Sequence, residues 1–197
     1  GRSLTHGELA ALMETCADDD SNAGARDAAI IGVMYTGGLR REEVPALDLE
    51  DYDRETGEVR VTGKGDKQRR VYINDGTEAA LGDWLAIRGQ VSGPLFLPLT
   101  RGGHVQWRRM HLQTVYDMLA RRAAQAGVRP FTPHDLRRTF VGDLLDAGAD
   151  VVTVQALAGH ANVQTTARYD RRPEEVKRKA ASLLHLPYRG RDVTRGR

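Results

Sequence analysis

His134-Asp-Leu-Arg137, Gly159-His160 and Tyr169 place two imidazoles, a guanidinium and a phenol at close, ordered spacings in the last third of this chain. In that order the side chains suit one kind of chemistry: a phenol attacks a phosphate while fixed cations and proton carriers hold the developing charge. A phosphodiester under attack gathers negative charge on its non-bridging oxygens. Guanidiniums serve best against them, because each is a planar fork that matches two oxygens and stays charged at any relevant pH. Arg40, on a glycine-rich break, and Arg137, at a helix start, are the two candidates, with His160 as a third donor. The phenol has a reference pKa of roughly 10, so ionising it near neutral pH costs about 4 kcal/mol without help. Neighbouring arginines lower that cost, and an imidazole accepts the proton during attack. His134 is the candidate base. The leaving 5′-oxygen needs a proton, and Lys64, near a hairpin tip, is placed to deliver one. The scheme calls for no metal.

Those side chains need elements to hold them. Thr5-His-Gly-Glu8 has the form of a capping box and predicts a helix over residues 5–16. Residues 18–24 read as an acidic surface loop, and the next helix, from about Ala25 to Thr36, is apolar almost all round and so central. Gly37-Gly38 closes it, because glycine takes the left-handed backbone freely. Arg40 follows, and a short helix begins at Arg41 before Pro45. Residues 58–62 and 68–73 alternate apolar and polar side chains, the period of a half-buried strand, and predict a β-hairpin. Helices are expected from Thr77 and over residues 113–126, with a break at Ser92-Gly-Pro94 and a short extended piece at residues 95–97. Thr132-Pro133-His134-Asp135 is a strong helix start, with Thr as cap, Pro first and Asp third. His134 and Arg137, three apart, share one face of that helix. A shorter helix over 151–158 leaves His160 just past its end, and residues 165–168 form a turn or short helix that presents Tyr169. A last helix starts at Pro173 and runs through Leu184.

Charge points to the partner. The chain carries a net +2, but residues 1–58 hold 5 Lys/Arg against 14 Asp/Glu while residues 59–197 hold 24 against 13. A basic C-terminal two-thirds suits a polyanion, since each neutralised phosphate releases counterions. Arg69, Arg70, Arg108, Arg109, Arg121 and Arg122, three adjacent pairs, are candidate phosphate contacts. The single Cys16 excludes an internal disulfide and a Cys-rich zinc site. No apolar run approaches the roughly 18 residues of a membrane span, so a cytoplasmic protein is expected (nucleoid-associated if bacterial), with no membrane partner.

Five motifs now stand in order. Thr36-Gly-Gly-Leu-Arg40-Arg-Glu-Glu43, Gly63-Lys64-Gly65, His134-x-x-Arg137, Leu157-Ala-Gly-His160 and Tyr169, nine residues after His160, resemble those of the tyrosine recombinases, the phage-integrase and Xer-like enzymes. The resemblance covers roughly residues 5–186. It implies a mainly α-helical catalytic domain with a small antiparallel β-sheet (α+β), the DNA breaking-rejoining fold. It also implies that Arg40, Lys64, His134, Arg137 and His160 assist Tyr169, with Glu43 orienting the site. Tyr169 would cut one strand, form a 3′-phosphotyrosine and free a 5′-hydroxyl. A partner strand's 5′-hydroxyl would then reverse the step, so that no ATP, metal or cofactor is needed. The implied partner is double-stranded DNA, bound by a homotetramer assembled from monomers. Ala158 departs from the family pattern, which usually has Leu before Gly-His, a packing change. Family members usually carry an N-terminal core-binding domain, which this chain is expected to lack. Residues 1–4 read as a linker or cloning remnant and 187–197 as a basic, disordered tail. Two rival readings share many of these features: a type IB topoisomerase, which reseals the same strand, and a catalytically silent DNA-binding module.

Overall fold

Helix α2 (Asn22–Thr36) presents buried side chains on nearly every side, from Ala28 through Met34, and the other elements are laid around it. In the computed structural model, which describes residues 1–63, 65–160 and 162–168 and the isolated positions 178 and 183, α2 packs against α1 (His6–Ala17), α4 (Asp75–Arg88) and α6 (Pro133–Asp146). A short α3 (Glu43–Ala46) and a single 3-10 turn (Leu49–Asp51) lead into an antiparallel hairpin, β1 (Glu58–Thr62) with β2 (Gln68–Tyr72), in the register Arg60 opposite Arg70. Then come α5 (Leu112–Gln125), α7 (Val151–Ala158) and α8 (Val163–Ala167). The described chain is therefore mainly helical with one two-stranded antiparallel sheet.

Two apolar clusters hold it. The larger joins α1, α2, α4, α5 and the hairpin around Leu12, Ile30, Met34, Trp84 and Phe96. A smaller one, formed by Phe140, Val141, Leu145, Val154 and Ala158, fastens α6 to α7. Burying an aliphatic or aromatic side chain of this kind is worth about 1.5–3 kcal/mol, so α7 is held mainly by its own few contacts.

Local signals placed most ends correctly. Thr5 and Glu8 form the expected capping box, as do Thr132 and Asp135, with Pro133 in the first turn. Helix α2, however, begins at Asn22, inside the stretch expected to be an acidic loop. Ser21 supplies the cap, its hydroxyl accepting from the Ala23 N–H. Gly24 then lets the new helix lie against the end of α1, where an added Cβ would come within 2.0 Å of the Asp19 carbonyl oxygen. The extended piece expected at residues 95–97 is irregular backbone with buried side chains, anchored by Leu95 N–H to the Leu47 carbonyl. The helix expected from Pro173 and the tail at 187–197 lie outside the described residues. Among the described residues no helix is long and apolar enough to cross a membrane.

Candidate active site

Three separate parts of the chain deliver arginine and histidine side chains to one open cleft of about 490 Å³, lined by Arg40, His134, Arg137 and His160 together with Tyr116 and Thr165. Each is placed by a helix end. Arg40 stands in the turn after α2, where Gly38 takes a left-handed backbone at φ 57°. That conformation also brings Gly38 against Phe140, whose ring leaves no room for a Cβ (2.4 Å). His134 and Arg137 lie in the first turns of α6, the positive end of the helix dipole, which favours an anion nearby. His160 follows Gly159, the left-handed residue (φ 61°) that ends α7.

The guanidiniums are fixed in advance. Arg137 is only 4% exposed and donates to the carbonyl oxygens of Gly38 and Ala158, tying the Arg40 turn to the end of α7. Arg40 donates through Nη1 to Glu43 Oε1 at 2.8 Å and through Nη2 to the Gly159 carbonyl at 2.8 Å. Its backbone N–H donates to Glu43 Oε2 at 2.7 Å. Burial pushes the Glu43 carboxyl up, but the hydrogen bonds and charge of Arg69, then Arg40, outweigh it and hold the group below the usual carboxylate range. Glu43 is thus an anion at neutral pH that orients Arg40.

His160 is the most perturbed of the site's groups. Burial first, then the charges of Arg137 and Arg40, push its imidazole down to about 4. At neutral pH it is uncharged, with one ring nitrogen a donor and the other an acceptor. Its Nδ1 lies 2.9 Å from the Oγ1 of Thr166, a wholly buried side chain on α8. The sequence carried no mark of that partnership. His134 is exposed at the mouth of the cleft.

Two of the six expected residues, Lys64 and Tyr169, lie outside the described residues. Their neighbours are described. Gly63 and Lys67 border a second hollow of about 610 Å³ that shares Arg40, Glu42 and His160 with the cleft. Lys67, three residues after Lys64, is exposed there. Among the described tyrosines, Tyr116 on α5 lines the cleft.

The six arginines expected to meet phosphate divide sharply. Arg70 and Arg108 are exposed, paired loosely with Glu58 (3.5 Å) and Gln106 (3.0 Å). Arg109 and Arg121 are half-exposed and bonded to Asp48 and Asp27. Arg69 and Arg122 point inward, with side chains 10% and 2% exposed. The reason is a carboxylate waiting behind each: Glu43 for Arg69, and Asp27 with Asp19 for Arg122.

Comparison with known proteins bears on the whole arrangement. The chain matches the model of the phage integrase family over residues 2–175. It is 36% identical over 158 residues to tyrosine recombinase XerC of Corynebacterium glutamicum, a match that covers 80% of this chain and 50% of that protein. Its fold superposes on the crystal structure of XerA recombinase with a TM-score of 0.73 at 26% identity, covering 95% of this chain and 67% of that one. It also superposes on XerH site-specific recombinase bound to its difH substrate in a pre-cleavage complex, with a TM-score of 0.72 at 25% identity, covering 93% and 54%. The chain spans about half the length of the curated relatives it matches.

Proposed function

The chain belongs to the phage integrase family, and from that premise we propose that it is the strand-cutting and rejoining part of a site-specific DNA recombinase. Residues 5–186 form the catalytic domain in this reading. The observation that carries it is the convergence of Arg40, His134, Arg137 and His160, drawn from three segments, on one cleft. Preorganised donors of this kind act on the charge that develops during attack, without reorganising as the reaction proceeds.

The residues divide the work as follows. Arg40 and Arg137 bind the non-bridging oxygens of the scissile phosphate, and neutral His160 donates a third hydrogen bond. Tyr169, nine residues beyond His160, attacks phosphorus as His134 takes its proton. The bond from phosphorus to the 5′-oxygen breaks, and Lys64 protonates the departing oxygen. The DNA end stays on the enzyme as a 3′-phosphotyrosine. Attack by a 5′-hydroxyl from a partner strand releases the tyrosine and conserves the bond energy, so the cycle consumes no ATP. Duplex DNA is the partner this chemistry requires, and the fold neighbour XerH is bound to its DNA substrate. Four such sites on two duplexes make a tetramer the working assembly, in the cytoplasm where the chromosome lies.

The test is a trap. A nicked duplex carrying sequence that flanks the gene is incubated with the full-length protein in EDTA, and adducts are mapped by mass spectrometry. The expected result is a covalent DNA adduct on Tyr169 that Tyr169→Phe removes, while DNA binding stays nearly unchanged because phosphate contacts dominate it. An adduct on Tyr116 would replace the nucleophile. Plasmid relaxation with no strand exchange would turn the reading toward a topoisomerase, and tight binding with no adduct toward a silent DNA-binding module.

A further inference from the structure

Arg69 stands out among the charged side chains because, from β2, it bonds two other parts of the chain at once. Its Nη1 and Nη2 donate to Glu43 Oε1 and Oε2, each at 2.7 Å, in a two-pronged pair. Its Nε donates to the Leu157 carbonyl at 2.9 Å, at the end of α7. Its aliphatic stem lies across Gly159, where an added Cβ would come within 2.9 Å of Arg69 Cδ. One side chain from β2 therefore grips the Arg40–Glu43 turn and lies under the Gly159–His160 turn. Glu43, 2% exposed, takes two bonds from Arg69 and two from Arg40, so the two guanidiniums share one carboxylate.

Such a pair adds little net stability, because the cost of desolvating the charges offsets their attraction. What it supplies is geometry. A guanidinium fork fixes distance and angle to a carboxylate in a way that a lysine, a point charge on a flexible stem, does not.

We propose that Arg69 is a positioning residue for strand cutting: it sets the hairpin that carries Lys64 against both Arg40 and His160. The inference rests on the recombinase reading above. It replaces the phosphate-contact role that the sequence suggested for Arg69. A misplacement of about 1 Å at a reacting centre costs up to roughly a hundredfold in rate, and Arg69 holds three of the segments whose relative placement matters.

The experiment measures single-turnover cleavage of the nicked flanking-sequence duplex by the full-length protein. Wild type is compared with Arg69→Met, Arg69→Lys and the double variant Arg69→Met/Glu43→Gln, over a range of DNA and salt concentrations. Arg69→Met is expected to lower the rate at saturating DNA by at least about tenfold, with the half-saturating DNA concentration within about twofold of wild type. Arg69→Lys is expected to restore the rate only in part. The double variant removes both buried charges of the pair and leaves the partly exposed Arg40 on the Gly159 carbonyl, so it is expected to melt close to wild type and yet stay slow. A double variant that cuts at the wild-type rate would reduce Arg69 to a structural part and sink the proposal. So would an unchanged saturated rate with weaker binding and a salt slope smaller by about one, the mark of a phosphate contact. An adduct formed equally fast by wild type and Arg69→Met overturns this inference alone. No adduct from wild type overturns the recombinase reading and takes the inference with it.

Discussion

Two clusters of arginine and carboxylate lie toward opposite ends of α2, and they are built differently. In the cleft cluster, one carboxylate, Glu43, serves both Arg40 and Arg69, while Arg137 donates to the Gly38 and Ala158 carbonyls. In the other, Asp27 takes Arg26 at 2.7 Å, Arg121 at 2.8 Å and Arg122 at 2.9 Å, and Asp19 takes a further bond from Arg122 at 2.6 Å. A carboxylate holds a guanidinium and cancels its charge. A carbonyl holds it and leaves the charge in place. The cleft cluster therefore neutralises its arginines only in part, since Arg40 and Arg69 divide one carboxylate between them, and that partial balance suits an anion-binding site. The Asp27 cluster is an internal clamp between α2 and α5. The imidazole of His160 is lowered first by burial and then by the charges of Arg137 and Arg40, which the cleft leaves within its reach.

The comparison breaks most readily at Asp27, which is wholly buried. Asp27→Asn keeps the shape but leaves the surrounding guanidiniums without their anion. Removing one partner of a buried pair costs about 3–5 kcal/mol, and a domain of this size loses roughly 2–4 °C of melting temperature per kcal/mol. Thermal unfolding should show a fall of about 10 °C, while cleavage per folded molecule, measured well below the transition, stays the same. A variant that melts normally but cuts slowly would mean that the two clusters are not separate devices.

Arg137→Lys sharpens the other side. The charge remains, but lysine cannot span the Gly38 and Ala158 carbonyls and a phosphate together. Losing one preorganised donor should slow single-turnover cleavage by roughly a hundredfold, equivalent to about 2.7 kcal/mol. DNA affinity at moderate salt should hardly move. Weakened binding with an unchanged saturated rate would place Arg137 among ordinary phosphate contacts.

These two clusters also mark where the sequence could be read and where it could not. The start of α6 was legible because capping is local: Thr132, Pro133 and Asp135 act within one turn of each other. The glycine that ends α7 and the hairpin's alternation were legible for the same reason. The grouping of Arg40, His134, Arg137 and His160 followed from motif order rather than from any contact that the sequence displays. Arginine direction was another matter. Arg69 turns inward because Glu43 lies 26 residues upstream, and Arg122 because Asp27 lies 95 residues upstream. Neither neighbour is visible in the local pattern of charges, so adjacent pairs such as Arg69-Arg70 read alike although the first points inward and the second is exposed. The early start of α2 was hidden similarly, since Gly24 is required by the approach of α1 and not by its own neighbours in sequence.

The smallest expected effect lies at Thr166, where the cleft's histidine is steadied by a neutral partner. His160 is uncharged in the folded protein down to about pH 4, so its two ring nitrogens must differ, one donor and one acceptor. When the Thr166 hydroxyl donates to Nδ1, the ring proton is left on Nε2, the tautomer that can donate to a phosphate oxygen. Thr166→Val deletes one hydrogen bond and leaves the shape, which typically costs about 1 kcal/mol, a rate loss of about fivefold. Thr166→Ser should recover most of it, whereas a packing role would be kept by Val and lost by Ser. Nitrogen shifts of the His160 ring should report the Nε2–H tautomer in wild type and a mixture in Thr166→Val. The sign of the pH dependence follows from the same group. Between about pH 6.5 and 4 the unfolded chain binds a proton at residue 160 that the folded chain does not. Stability contributed at this position is therefore complete above pH 6.5 and falls as the pH drops through that window. His160→Gln should flatten that limb of the stability profile, and an unchanged limb would mean that the ring already carries its proton in the folded protein.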